Sequence, residues 1–240
     1  MGSLCIFLDP DTMAKEIASQ LEKCASQTEK DGRIFTLVLS GGSTDPVLYG
    51  KLAEPKWRDR IPWKSVHIFF ADERCVPPEN EESNYGICCR VLLDHIAIPN
   101  SNIHRIRGEE DPVSESTRYA KEIQDHMIFR KGQGNFFDWV FLGVGTDGHT
   151  ASLFPGQNII NSPKLCEVAR HPDTGQLRIT MTPAAIKLSS RITYHCIGEK
   201  KSEIVFKLAS DPSATNIYPA LRIQGEWFLD RSASAKFDFS

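Results

Sequence analysis

Short runs of β-branched and aromatic residues alternate along the chain with longer stretches whose apolar positions recur at helical spacing. That alternation predicts an α/β fold, Rossmann-like, in which a mainly parallel sheet is flanked by helices, with residues 1–240 forming a single domain. Phe35–Leu39 is continuously apolar, as a strand buried on both faces requires. Residues 66–71, 137–142, 177–182 and 192–197 read as further strands, and Glu226–Asp230 as a closing edge strand. Residues 13–25 carry Met13, Ile17, Leu21 and Cys24 on one helical stripe. Residues 47–53, 84–96, 114–130 and 203–209 are also expected to be helical, and the polar segments 107–116 and 170–175 to be surface loops.

Three strands stop abruptly where small and polar residues begin. In an open parallel sheet ligands bind beyond the carboxyl ends of the strands, so these three loops are expected to meet. The first, Ser40-Gly41-Gly42-Ser43-Thr44, combines glycines that admit a close backbone approach with two hydroxyls. Pro46 follows at a position suited to a first helical turn, and Thr44 or Asp45 can cap that helix. The result is a phosphate cradle without a Walker lysine, although an ordinary strand-to-helix turn has the same pattern. No Gly-x-Ser-x-Gly occurs here, which argues against serine-hydrolase chemistry.

The second loop, Asp72-Glu73-Arg74, sends Asp72 and Arg74 the same way if the strand persists, and arginine offers a planar fork that pairs with phosphate. A solvated strand end is the bland alternative. The third, Gly143-Val144-Gly145-Thr146-Asp147-Gly148, satisfies the dinucleotide fingerprint formally. Pro155-Gly156 leaves room for only a short helix anchored by Leu153 and Phe154, and Asp147 would face a pyrophosphate, so that reading fails. Asp147 and His149 suit a better one, in which a carboxylate orients a neutral imidazole as a base. His67, His95, His104, His126, His171 and His195 have no such setting and read as structural. Arg178 and Lys201 are cations on late segments, where surface positions are the ordinary explanation.

Composition narrows the partners. A hydrophobic fraction of 40 %, a charged fraction of 25 % and 16 Gly against 14 Pro describe a globular chain and exclude fibrous and disordered classes. The net charge of −3 offers no field for nucleic acid or an anionic membrane, so phosphate binding must be local. Apolar stretches fall far short of the ~18 residues of a membrane span. The seven cysteines include no C-x-x-C pair and read as reduced thiols, and no two histidines sit at the i, i+4 spacing of a helical metal motif. An amino-terminal segment without Lys or Arg before Asp9 suits a cytoplasmic protein.

The loops named above, together with Ser83-Asn84-Tyr85 and the block Gly145-Thr146-Asp147-Gly148-His149-Thr150-Ala151-Ser152-Leu153-Phe154-Pro155-Gly156, resemble the 6-phosphogluconolactonase family in order and spacing. Arg178-Ile179-Thr180-Met181-Thr182-Pro183 and Gly198-Glu199-Lys200-Lys201 are similar to its carboxy-terminal motifs, and the likeness runs from Phe35 to Asp230. The resemblance implies a fold of the glucosamine-6-phosphate deaminase type and cofactor-free, metal-free hydrolysis of a sugar-phosphate lactone in the oxidative pentose phosphate pathway. It implies His149 as general base with Asp147 beside it. Gly41, Gly42, Ser43, Thr44, Asp72, Arg74, Arg178 and Lys201 become substrate contacts, with the three cations undivided between phosphate and sugar acid. A monomer or weak dimer is expected.

Two alternatives stand beside this reading. One is a deaminase-like enzyme, for which Asp72 matches the base while Leu153-Phe154-Pro155 replaces the expected Asn-Glu pair. The other is a sugar-phosphate sensor without turnover.

Overall fold

All five residues of Phe35–Leu39 are buried, and a strand covered on both faces needs paired neighbours at both edges and helices above and below. A computed structural model supplies that setting and describes residues 2–42, 44–129 and 136–237. The strands are β1 (Leu4–Phe7), β2 (Phe35–Leu39), β3 (Val66–Phe70), β4 (Asp72–Arg74), β5 (Ile103–His104), β6 (Trp139–Leu142), β7 (Cys166–Arg170), β8 (Leu177–Met181), β9 (Ile192–Cys196) and β10 (Glu226–Asp230). The α-helices are α1 (Pro10–Lys30), α2 (Asp45–Ala53), α3 (Pro55–Arg58), α4 (Asn84–Val91), α5 (Pro112–Phe129), α6 (Pro183–Ile186) and α7 (Ser202–Ser210).

Seven strands form a sheet in the order β1-β10-β9-β6-β2-β3-β5, and every pair within it is parallel. After β2 the chain extends the sheet one way through β3 and β5, then returns to lay β6 on the other side of β2. The β2/β6 boundary is therefore a topological switch point, where the loops leaving the two strands diverge and open a crevice. A small antiparallel sheet, β4-β8-β7, stands at that end of β3, because only Ala71 separates β3 from β4.

Helices cover the sheet because their apolar stripes match it. On α1, Met13, Ala14, Ile17, Ala18, Leu21 and Ala25 are buried, and Asp9 caps the helix by accepting from the Thr12 backbone N–H at 2.7 Å. On α5, the Tyr119 hydroxyl is buried yet satisfied, accepting from Phe70 N at 2.9 Å and donating to Phe70 O at 3.1 Å. Tyr194 and Trp227 stack at 4.1 Å between neighbouring strands β9 and β10. Among the described residues no helix is long and apolar enough to cross a membrane.

Several expectations change. Glu226–Asp230 is not an edge strand, because the half-exposed β1 pairs outside it. The helix expected from residue 114 begins at Pro112, inside the segment read as a loop, and the helix expected over 84–96 ends at Val91, followed by a 3₁₀ turn at Leu93–His95. Segment 170–175 is the tip of the β7–β8 hairpin. No helix follows Gly148: Leu153 and Phe154 are buried, but they belong to turns tied by a bridge between Thr150 and Leu153. All seven cysteines are free thiols.

Candidate active site

The loop after β2 is shaped by its glycines. A Cβ on Gly41 would lie 1.8 Å from Asn84 Oδ1, so only glycine lets this backbone reach α4. Gly42 has φ +144°, a backbone conformation that strains any other residue. Thr44 sits at the N-cap of α2 but makes no side-chain capping bond, which leaves the first-turn N–H groups uncapped by it. Ser43 lies outside the described residues. Asp45, the first residue of α2, is 2 % exposed and its Oδ2 has no hydrogen-bond partner. Burial, reinforced by the Asp72 charge, pushes its pKa to about 7 against the opposing pull of Arg74 and Lys201.

On β4, Asp72 and Arg74 share one face while Glu73 turns the other way, into the amino terminus of α4. There its carboxylate accepts from the Arg74, Asn84 and Tyr85 backbone N–H groups, each at 2.8 Å, and from the Ser83 hydroxyl at 3.1 Å. Burial still outweighs these bonds, so the Glu73 pKa is raised. Asp72 accepts from the Ser152 hydroxyl at 2.6 Å, and Asn84 Nδ2 donates to its backbone carbonyl at 3.0 Å. Arg74 and Arg178 are direct partners in the β4–β8 ladder. Arg74 donates to Glu82 O at 2.6 Å but leaves a buried Nε unpartnered, and Arg178 lies over the Phe154 ring at 5.6 Å.

The loop after β6 holds the histidine. Gly145 N donates to His149 O at 2.8 Å and Gly148, with φ +84°, turns the chain back. A Cβ on Gly145 would lie 2.1 Å from His149 Nδ1, so the ring packs onto bare backbone. His149 Nδ1 and Asp147 Oδ1 are 2.6 Å apart, and Asp147 also accepts from the His149 backbone N–H at 3.1 Å. Burial pushes the Asp147 carboxyl up, but its bonds to His149 and the His149 charge outweigh that and hold its pKa below the usual carboxylate value. With Nδ1 committed to Asp147, Nε2 is the nitrogen left to exchange a proton. Ala151 completes the loop at φ +47°, a left-handed conformation costly for a residue with a Cβ.

These three loops enclose one cavity of about 240 Å³ with β8 and the segment before α7. Gly41, Gly42, Thr44, Asp72, Arg74, His149, Arg178 and Lys201 all line it. Asp147 stands behind His149 rather than in the lining, and the His149 side chain keeps 27 % of its accessible surface. Lys201 donates to Val144 O at 2.7 Å, while Lys200 is exposed and outside the lining. Chemically the cavity combines an imidazole held by a carboxylate, three cations and uncapped backbone amides around a sugar-sized space. Asp45 is the lining residue that sequence reasoning cast only as a cap; an acid in the first turn beside an anion cradle was the signal.

A family model described as glucosamine-6-phosphate isomerases/6-phosphogluconolactonase matches residues 8–229. A 6-phosphogluconolactonase of Haemophilus influenzae is 43 % identical over 200 residues, which cover 81 % of this chain and 84 % of the relative. Among solved structures, the crystal structure of a protein named devB shares 40 % identity at a TM-score of 0.91, covering 99 % of this chain and 100 % of that one. A monomeric glucosamine-6-phosphate deaminase shares the fold at a TM-score of 0.81, with 17 % identity and coverage of 97 % and 99 %.

Proposed function

The chain belongs to the family of glucosamine-6-phosphate isomerases and 6-phosphogluconolactonases, and from that premise we propose that it hydrolyses 6-phospho-D-glucono-1,5-lactone to 6-phosphogluconate, the lactone-opening step of the oxidative pentose phosphate pathway. The observation that carries the reading is the Asp147–His149 pair at 2.6 Å, opening into the same cavity as the cradle after β2 and the two paired arginines.

His149 Nε2 takes a proton from water as the water oxygen bonds to the lactone carbonyl carbon, and Asp147 steadies the imidazolium that forms. The carbonyl oxygen becomes an oxyanion facing Arg74 and backbone N–H groups. Collapse of the tetrahedral carbon breaks its bond to the ring oxygen, which takes the proton back from His149 and leaves a hydroxyl and a carboxylic acid that ionises. Gly41, Gly42, Ser43 and Thr44, which precede α2 in the sequence, with Arg178 and Lys201, hold the phosphate and sugar hydroxyls. Asp72 contributes a sugar contact from its fixed position beside Ser152. A lactone is reactive enough for one base, one water and one polar pocket, so we assign no cofactor. The working unit is a monomer or weak dimer in the cytoplasm, with no nucleic acid or membrane partner.

The test is a lactone-opening assay on freshly generated substrate. Ring opening well above the spontaneous rate is the expected result. Ammonia release from glucosamine 6-phosphate in its place would install the deaminase, and product binding without turnover the sensor.

A further inference from the structure

We propose that His67, His104 and His126 form a binding site for a divalent transition-metal ion of the zinc class, separate from the cavity described above. The three residues lie far apart in sequence and come from β3, β5 and α5. One ring nitrogen of each lies within 4.8 Å of the other two. Their ring centroids form a near-equal triangle, at 5.2, 4.8 and 5.1 Å. None of the three lines the cavity holding His149, which opens at the β2/β6 boundary, whereas β5 is an edge strand two places from β2.

The closest pair already approaches ligand spacing. His67 Nδ1 and His104 Nε2 are 2.9 Å apart, and two imidazoles on a tetrahedral ion at ~2.0–2.1 Å have nitrogens roughly 3.3 Å apart. That pair needs to open by a few tenths of an ångström, and a rotation of the His126 side chain brings in the third nitrogen, which lies within 4.8 Å of the other two. Glu122 Oε1 stands 2.7 Å from His104 Nδ1, the carboxylate–histidine arrangement that orients a metal ligand and raises its basicity. That bond puts the His104 proton on Nδ1 and turns the Nε2 lone pair toward His67. The proton between the two rings is then the one on His67 Nδ1, which a metal must displace to bind there.

The surroundings suit neutral imidazole donors. Phe69 stacks on His104 at 4.2 Å and Phe136 stands against His126 at 6.0 Å, which walls the cluster on its inner side. His104 and His126 also border a surface hollow of about 410 Å³, which gives an ion a path in and a water room as a further ligand. Among the described residues, the cations beside the cluster are paired: Arg118 with Glu115 and Glu122, and Lys121 with Asp125. An all-imidazole donor set suits zinc, copper and nickel and gives magnesium or calcium no oxygen cage.

The test is competitive titration of zinc against a chromophoric chelator, using full-length protein first stripped of metal, with cobalt absorption as a second readout. The expected result is one site per chain, with affinity lowered at least ~10-fold in His104→Gln and His126→Asn and ~10-fold in Glu122→Gln. Wild-type protein should give nitrogen-ligated cobalt bands that are lost in His126→Asn, and His149→Ala should bind zinc as wild type does. If a histidine variant melts early in chelator, Glu122→Gln, which keeps all three ligands, carries the test. Equal zinc affinity in wild type, His104→Gln and Glu122→Gln, or a site lost in His149→Ala, overturns the proposal.

Discussion

Arg74 on β4 and Arg178 on β8 stand directly opposite each other in an antiparallel ladder, their guanidinium groups lining one cavity. Like charges at facing positions destabilise a sheet, and here burial, helped by the Arg74 charge, lowers the pKa of Arg178. On the proposed reading, a bound dianion offsets the repulsion between the two guanidinium groups. Inorganic phosphate or 6-phosphogluconate should therefore raise the melting temperature of the wild-type protein and have little effect on Arg178→Gln. The same variant should raise KM for the lactone ~10–100-fold with kcat changed only a few-fold, and a loss confined to kcat would contradict the anion role.

Asp45 makes stability depend on pH in a defined direction. Its folded pKa, about 7, lies above the ordinary value of 3.8. The folded state thus holds a proton that the unfolded state releases; the associated stability is complete below pH 3.8 and is lost as pH rises through about 7. Replacement by Asn removes the effect. Asp45→Asn should be more stable than wild type at pH 8 by a few kcal/mol at most, with the difference vanishing near pH 4. Thermal melts across that range check it, and a constant difference would refute it.

Gly145 is the floor on which the His149 ring rests. Because an added Cβ would fall 2.1 Å from His149 Nδ1 and 2.6 Å from Asp147 Oδ1, Gly145→Ala must displace one or both side chains. A displacement of about 1 Å in a catalytic group can cost ~10²-fold. Turnover should fall by that order while affinity for 6-phosphogluconate stays within a few-fold, measured by steady-state kinetics and calorimetry.

Asp147→Asn probes orientation without changing shape. An amide that turns its N–H₂ toward Nδ1 favours the tautomer with the proton on Nε2, the wrong nitrogen for a base. A loss of ~10²–10⁴ in kcat is expected with KM little changed, by analogy with the effect on other oriented histidines. Unchanged turnover would show that the 2.6 Å contact is only structural.

The parts of the fold legible in the sequence were those set by local patterning. Phe35–Leu39 is a strand because every residue is apolar, and the stripe from Met13 to Leu21 forms a helix because nothing in it opposes one. β4 was legible only as a conditional extension of the preceding strand, because three charged residues do not look like a strand. They form one because Glu73 is absorbed by the amino terminus of α4 while Asp72 and Arg74 face the cavity, a non-local compensation. β1 and β7 are half-buried and short, and β5 has only two residues, so periodicity had little to register. At the site, the glycine-rich turns marked the loops that the fold gathers around one cavity. Asp45 and the histidine cluster were not legible, because the burial of one and the convergence of the other exist only once distant segments pack.

In the proposed mechanism His149 is the base that activates water. Measuring lactone opening by wild type and His149→Ala on freshly generated substrate tests it most directly, with melting temperature and 6-phosphogluconate affinity as checks on fold and pocket. A fall of ~10²–10⁴ in kcat is expected, with both checks nearly unchanged. Wild-type turnover in His149→Ala would contradict it.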